Sequence, residues 1–308
     1  MTITQAATLR IIRKLIKGED YRSEVLTLIN TQFLDYAIGF FKRVVDAKLY
    51  NQSLDLEWYR QEMLAESLSK DEIATHAGLN LKTIQNIYGN TRKQTVIDVS
   101  TTHYETLVTL LDELTSNQDE IDLTLTIKFK GVSVDLNISE SLLVINALAV
   151  KRAALRGSVW STVGKQVEKP LMKVLCQLHE VPPEYYDQSR LTEKHEREID
   201  FYLFDGEGKP YRCEVKLMGR GNPESADATE ARDTQIFIAD TLSESVKNRL
   251  NSKGVLWVEL KNPNNLSQFQ SVLVKLGIPY TVPPNFETAL ETILQQMLSE
   301  GEADDSRA

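Results

Sequence analysis

The stretch REIDFYLFDGEGKPYRCEVKLMG, residues 197–219, decides the fold of the region around it. It contains two runs rich in aromatic and β-branched residues on either side of a glycine-containing turn, which predicts two neighbouring β-strands. Asp200 lies on the first strand, and Glu214 and Lys216 lie on the second. Because side chains two residues apart on a strand share a face, Glu214 and Lys216 are expected side by side. The pattern therefore predicts that two carboxylates and one ammonium group converge.

Two acids and a lysine at one place suit the hydrolysis of a phosphodiester bond. Oxygens of Asp200 and Glu214 can hold Mg²⁺, which stabilises charge on a phosphate and lowers the pKa of a bound water. Lys216 would orient the attacking water and offset negative charge at phosphorus. Glu168, 32 residues before Asp200 on a predicted helix, is a further candidate for the metal shell. The alternative is a salt-bridge ladder on an exposed sheet face, because the spacing D-x13-ExK alone is weakly specific.

The flanking segments predict an α/β (α+β) fold with a mixed sheet between helices. Strands are predicted at residues 198–204, 211–218, 235–239 and 255–260. Helices are predicted at residues 243–251, between the third and fourth of these strands, and at 266–277 and 285–299, after the fourth. Upstream, alternation around Lys130–Gly131 predicts a β-hairpin. Helices over residues 140–155 and 161–179 follow it, with Ser139 as the N-cap of the first and Pro170 kinking the second.

Residues 1–116 are predicted to be helical, because apolar residues recur there at helical spacing. Within them KDEIATHAGLNLKTIQNIYG fits a helix-turn-helix at about residues 70–91, with Ala74 at the helix crossing and Gly78 at the turn. Four aliphatic residues are predicted to pack the pair, namely Ile73, Leu79, Ile84 and Ile87. Candidate DNA contacts lie on the second helix and just after it, namely Lys82, Thr83, Gln85, Asn86, Arg92 and Lys93. The alternative is a helical hairpin used only for packing or dimerisation.

Composition sets broader limits on the class of protein. The 308 residues are 42% hydrophobic and 26% charged, as in ordinary globular proteins. No apolar run approaches the ~20 residues of a membrane helix, and no signal peptide is evident, so we expect a cytoplasmic protein with reduced cysteines. The net charge of −9 argues mildly against nucleic acid as a partner. Part of that charge lies in residues 300–308, which predict an acidic disordered tail.

The D…ExK hairpin preceded by an acid-bearing helix resembles the PD-(D/E)xK phosphodiesterase superfamily, although Ile199 stands where the pattern often has proline. Further segments resemble type II restriction endonucleases of the CfrBI type, and this likeness spans about residues 19–280. These segments are IDLTLTIKFKGVSVDLN, VKRAALRGSVWSTVGKQVEK and KLMGRGNPESADATEARDTQIFIADTLSES. The expected organisation is a helical region at 1–116 and a hairpin with a PD-(D/E)xK nuclease domain at 117–299.

The resemblance implies a Mg²⁺-dependent homodimer that cuts both strands of a short palindrome in double-stranded DNA, with CCWWGG as the candidate site. By match of motif, Asp200, Glu214 and Lys216 are implied to be catalytic, with Glu168 added, and Asp200 and Glu214 to be metal ligands. Neither a membrane nor a nucleotide cofactor is expected. The apolar stripe from Val25 to Phe41 is the candidate dimer interface, and burial of that stripe within its own subunit is the alternative.

Residues 219–233 follow the predicted catalytic strand and are polar. They contain residue types that contact base edges, namely Arg220, Asn222, Glu224, Arg232 and Asp233. A solvated loop leading into an N-capped helix is the alternative. Some restriction enzymes of this superfamily carry the second acid beyond the lysine, and Glu224 and Glu230 lie in that zone. Glu214 ranks above both, because it occupies the usual strand position.

Two other functions compete with the restriction endonuclease. One is a repair or structure-specific nuclease with the same core. The other is a helix-turn-helix regulator whose α/β domain binds an effector. The intact acid–acid–lysine set disfavours the regulator, which has no need to hold these charges together.

Overall fold

The computed structural model describes residues 4–50, 53–116, 124–186, 201–217 and 234–305. It has a mixed α+β architecture and divides into two compact units. One unit contains residues 1–26 and 160–308, and the other contains residues 27–159. Helices α2 (Arg22–Leu49) and α7 (Ile138–Leu178) each continue from one unit into the other. Within the described chain, no helix is both long enough and apolar enough to span a membrane.

The 27–159 unit is mostly helical. After α2 it contains α3 to α6, at Leu56–Met63, Lys70–His76, Leu81–Tyr88 and Lys93–Ser116. The antiparallel strands β1 (Leu125–Phe129) and β2 (Val132–Leu136) follow, so the predicted hairpin is confirmed. Lys130 and Gly131, which join the strands, both have positive φ angles. Such angles at both turn residues are the geometry of a tight two-residue hairpin turn.

The apolar stripe of α2 is buried within its own chain. Val25, Ile29, Ala37 and Phe40 are each at most 7% exposed. In the 27–159 unit, Phe40 belongs to an aromatic core in which its ring lies 6.3 Å from that of Trp58. The prediction that this stripe forms a dimer interface is therefore wrong, and the alternative of burial within the subunit is confirmed.

Helix α7 is one helix of 41 residues where the sequence predicts two. Buried apolar residues continue at four-residue spacing through the predicted break and past the proline: Leu155, Val159, Val163, Val167, Leu171 and Leu175. Packing of this stripe outweighs the roughly 3 kcal/mol that an interior proline costs a helix. The predicted N-cap at Ser139 is also wrong. Asn137 Oδ1 accepts from the Glu140 N–H at 2.9 Å, and the Glu140 carboxylate accepts from the Asn137 N–H at 3.1 Å, which is a capping box.

The other unit is built on a four-stranded sheet of order β3-β4-β5-β6. These strands are Phe201–Phe204, Pro210–Lys216, Ile236–Ala239 and Leu256–Glu259. β3 and β4 are antiparallel, whereas β4, β5 and β6 are parallel to one another, so the predicted mixed sheet is confirmed. Helix α8 (Glu244–Ser252) connects β5 to β6, and α9 (Asn265–Lys275) follows β6. β4 is an interior strand with a neighbour on each side.

The first and last helices of the chain pack together in this unit. α1 (Gln5–Ile16) contacts α10 (Phe286–Asp305). Among the described residues, three ion pairs connect this end of the chain to α10: Arg13–Glu291 at 2.7 Å, Lys17–Glu287 at 2.6 Å and Lys17–Glu291 at 4.0 Å. Helix α10 continues beyond its predicted end at residue 299, into the segment that the sequence predicts to be a disordered tail.

Candidate active site

The second strand of the predicted catalytic hairpin, β4, lies in the interior of the sheet, and β3 lies at its edge. β4 is exposed at Pro210 and buried from Cys213 to Val215. β3 pairs with it as far as Cys213, and β5 pairs with it from Cys213 to Lys216. Side chains alternate along it, so Cys213 and Val215 share one face and Glu214 and Lys216 share the other. Glu214 is only 2% exposed. A carboxylate at this depth requires a charged or hydrogen-bonding partner, because burial removes its hydration.

Lys216 supplies such a partner. Its Nζ lies 2.7 Å from Glu214 Oε1. Glu168, which projects from α7, approaches the same nitrogen with its Oε1 at 4.0 Å. The structure thus brings together three of the four side chains predicted to be catalytic. Asp200, the fourth, lies outside the described residues, directly before Phe201.

The charges at this centre suit a divalent cation. Glu214 and Glu168 direct carboxylate oxygens to within 4.0 Å of one ammonium group, so two acids and one cation lie together here. Carboxylate oxygens are the ligands that Mg²⁺ prefers. In the part of the chain that the structure describes, no group of three or more His, Cys, Asp or Glu side chains is placed to hold a metal ion. The described donors are therefore a pair of carboxylates that fits Mg²⁺ but is not by itself a full protein ligand set.

Asp240 is a buried acid close to this centre that the D…ExK spacing does not predict. It directly follows β5, is 1% exposed, and its main-chain N–H donates to the Lys216 carbonyl oxygen at 3.3 Å. The Tyr21 hydroxyl donates to Asp240 Oδ2 at 3.3 Å, and burial together with the Asp240 charge raises the pKa of Tyr21. The available signal is the run IFIAD, an acid at the end of an apolar strand. Carboxyl ends of neighbouring parallel strands meet at one sheet edge, where ligands bind in open α/β sheets.

Helices α4 and α5, in the 27–159 unit, are joined by a turn at Gly78. The φ angle of Gly78 is 77°, a conformation that glycine adopts without strain. The Asn80 side chain caps α5 by accepting from the Thr83 N–H. Ile73, Ala74 and Ile84 are fully buried, as the sequence predicts.

The outer side of α5 is only partly polar. Ile87 is 66% exposed, so the prediction that it packs the helix pair is wrong; it lies in the last turn of α5, beyond the buried Ile84. The side chains of Lys82, Asn86 and Arg92 are exposed, and they make no hydrogen bond or ion pair with the described residues. These three side chains are available to a ligand.

The other three predicted DNA contacts of this segment have local structural roles. The Thr83 hydroxyl donates to the N-cap side chain at 3.1 Å. Gln85 Nε2 donates to the Gly89 carbonyl oxygen at 2.7 Å, across the end of α5. Lys93 Nζ donates to the main-chain carbonyl oxygen of residue 66. These bonds must be kept or exchanged if the same side chains contact DNA.

Comparison with known proteins places the chain in a family. The model of the CfrBI restriction endonuclease matches residues 5–247, which is most of the chain. The chain belongs to the CfrBI restriction endonuclease family. No curated protein and no solved structure matches it.

The family match confirms the resemblance to restriction endonucleases of the CfrBI type. Membership of this family implies that the protein is a DNA-cleaving hydrolase. The matched residues include Glu168, Glu214, Lys216 and helices α4 and α5, and they end within α8. The predicted base-contacting residues of the segment after β4 also fall within the match but lie outside the described residues: Arg220, Asn222, Glu224, Arg232 and Asp233.

Proposed function

We propose that this protein is a type II restriction endonuclease that requires Mg²⁺, acts in the cytoplasm and cuts both strands of a short palindrome in double-stranded DNA. CCWWGG is the candidate site. The observation that carries the proposal is the convergence of Glu214 and Glu168 on Lys216, in a member of the CfrBI restriction endonuclease family. We propose that these residues belong to a PD-(D/E)xK core within residues 117–299. No nucleotide cofactor is required for this chemistry.

We propose that Asp200 completes the centre and shares the metal with Glu214. Phe201 opens β3 opposite Cys213, the residue before Glu214. Consecutive Cα atoms are about 3.8 Å apart, and from this connectivity we infer that Asp200 falls near the β4 residue that carries the second acid. Bound Mg²⁺ would supply Lewis acidity and lower the pKa of the water that attacks phosphorus.

The side chains of the centre have separable tasks in this proposal. Glu214 and Glu168 hold negative charge where the cation binds, and the burial of Glu214 strengthens electrostatic interactions there. Lys216 donates hydrogen bonds that orient the attacking water, and its positive charge offsets the charge that builds up on the phosphate oxygens. The oxygen of the attacking water forms a bond to phosphorus while the bond between phosphorus and one bridging oxygen of the DNA strand breaks.

Incubation of the purified protein with plasmid DNA and Mg²⁺ tests the proposed activity. We expect discrete double-stranded fragments whose sequenced ends share one short palindrome. Chelation of the metal should abolish cutting, because the two described carboxylates need a cation to bind phosphate productively. Nicks that depend on DNA structure would favour the repair nuclease instead, and intact plasmid at every divalent metal tested would favour the regulator.

We propose that α4 and α5 act as a helix-turn-helix on DNA, within a helical region at residues 1–116. The exposed side chains of Lys82, Asn86 and Arg92 support this, because an amide contacts adenine edges and cations contact phosphates. The segment after β4 is proposed to contact bases as well, because it directly follows the strand that carries Glu214 and Lys216.

Replacement of both Lys82 and Arg92 by alanine should weaken DNA binding and make it less dependent on salt. Each lost phosphate contact releases about one counterion fewer, so the slope of log affinity against log salt should fall by roughly two. Fluorescence anisotropy in Ca²⁺ at several salt concentrations measures this slope. Lys275→Ala, an exposed cation on α9, is the control and should bind like the wild type. A DNA complex with both side chains more than ~8 Å from any phosphate or base, about one Debye length, would make the helix pair a packing module.

We also propose a homodimer. The sequence contains one D…ExK set, whereas cutting both strands of a palindrome needs two catalytic centres related by a two-fold axis. The buried stripe of α2 is excluded as the interface, so another surface must join the two copies.

A further inference from the structure

Helix α2 has an exposed apolar face that is separate from its buried stripe. Leu34 and Ile38, one turn apart, are 57% and 53% exposed. Gly39 follows, and a Cβ atom at this glycine would meet no atom of its own chain within 4 Å. Glycine inside a helix is destabilising relative to alanine. The open space above Gly39 leaves room for the backbone of another helix to approach closely.

Opposite charges are placed symmetrically on the same face. Asp35 and Lys42 are both exposed, lie two helical turns apart and are equally far from the Ile38–Gly39 peptide bond. Lys42 Nζ lies 5.5 Å from the centre of the Phe129 ring. If two α2 helices pair antiparallel about a two-fold axis at that peptide bond, Asp35 of one copy meets Lys42 of the other, and the contact occurs twice. A parallel pairing would instead place like charges together.

Helix α7 lies beside α2. Lys48 Nζ binds Glu140 Oε1 at 2.9 Å near one end of α2, and Arg152 donates to Asn30 Oδ1 at 3.3 Å towards the other end. The two contacts make α7 an antiparallel neighbour of α2. Ile145 lies between them along α7 and is 49% exposed. Two copies that met here would place two helices against two, as in a four-helix bundle.

We propose that this surface, called the α2 face and defined by Leu34, Asp35, Ile38, Gly39 and Lys42, joins two copies of this chain. The inference rests on the proposed function, which requires a homodimer, and it names the surface that the copies share. Ile38 packs on Ile38 of the second copy, while the paired Gly39 residues let the backbones approach. The two Asp35–Lys42 contacts fix the antiparallel direction, because complementary charges suppress the wrong pairing.

Sedimentation of the full chain at micromolar concentration tests the α2 face. The wild type should have about twice the chain mass of 34.9 kDa. Asp35→Lys and Lys42→Asp should each raise the dimer dissociation constant at least about tenfold, because each creates two like-charge contacts. The double variant Asp35→Lys/Lys42→Asp reverses both pairs and should restore the dimer. Ile38→Glu should give monomer, whereas Leu110→Glu, a control at an equally exposed leucine of α6, should stay dimeric.

Three results would overturn this interface: a monomeric wild type, a dimer that none of the α2-face variants weakens, or a double variant that stays as weak as the single ones. Circular dichroism shows whether each variant is folded, and the charge changes at exposed positions should leave the spectrum unchanged. Plasmid cleavage measured in parallel keeps the two proposals apart. A wild-type monomer that cuts DNA contradicts the interface and the proposed homodimer but not the nuclease activity, and a dimer that follows the charge pattern but cuts nothing contradicts the nuclease alone.

Discussion

Lys216→Met should lower the rate of plasmid cleavage by about 10³-fold while leaving specific DNA binding in Ca²⁺ measurable. The ammonium group lies 2.7 Å from the buried Glu214 carboxylate. In the proposal it acts on the attacking water and the phosphate and contributes little to the affinity for DNA. Asp200→Ala should have a comparable effect on cleavage, because it removes a proposed metal ligand. Single-turnover cleavage and anisotropy on the same DNA measure the two quantities.

The control for Lys216 is Lys209→Met on the same hairpin. Lys209 is exposed, and its Nζ lies 5.2 Å from the centre of the Tyr211 ring, away from any buried carboxylate. This variant should cleave like the wild type. If Lys216→Met or Asp200→Ala keeps more than a few per cent of wild-type cutting, the proposed centre is wrong.

Folding can be separated from catalysis in the Lys216 variant. Removal of the lysine takes an ion-pair partner from the buried Glu214 carboxylate, which costs up to ~3 kcal/mol of stability, the value for a fully buried pair. The double variant Glu214→Gln/Lys216→Met removes both charges. It should regain part of the lost unfolding temperature and still be inactive. An inactive single variant whose activity returned in the double variant would show that misfolding caused the loss.

The catalytic hairpin could be predicted because its signals are local. Alternation with a period of two sets which β4 side chains share a face, and the short turn sets β3 beside β4. Glu214 and Lys216 therefore follow from the sequence almost directly. The approach of Glu168 does not, because it depends on how α7 lies against the sheet.

Features that depend on distant contacts could not be predicted from local patterns. The sequence predicts two helices, at residues 140–155 and 161–179, with a kink at Pro170, yet burial of the apolar stripe keeps α7 continuous. The pairing of α1 with α10 joins opposite ends of the chain. Asp240 gains its significance only when β5 pairs with β4 and its N–H meets the Lys216 carbonyl. Helical spacing alone places Ile87 near the buried face of α5, three residues after Ile84. Ile87 is nevertheless exposed, because the short helix ends one residue later.

The identity of the second acid is the sharpest remaining test of the active site. Glu214→Ala should be inactive, whereas Glu230→Ala should retain at least about half of the wild-type cleavage rate, because Glu214 supplies the second acid in the proposed centre. Glu214 already lies on the same strand face as Lys216, with its carboxylate 2.7 Å from the ammonium group. Glu230 lies outside the described residues, and only its position after the ExK motif makes it a competitor.

Cleavage alone does not distinguish a lost ligand from a disturbed sheet, so Mg²⁺ binding should be measured on the same variants in the presence of DNA. We expect Glu214→Ala to lose detectable metal binding and Glu230→Ala to keep it, because carboxylate oxygens supply the protein's part of the Mg²⁺ coordination. Glu214→Gln preserves the shape of the side chain and should behave like Glu214→Ala if charge is what matters. The reverse pattern, with Glu230→Ala inactive and metal-free and Glu214→Gln active, would show that the second acid lies beyond the lysine and that Glu214 serves to neutralise Lys216 within the sheet.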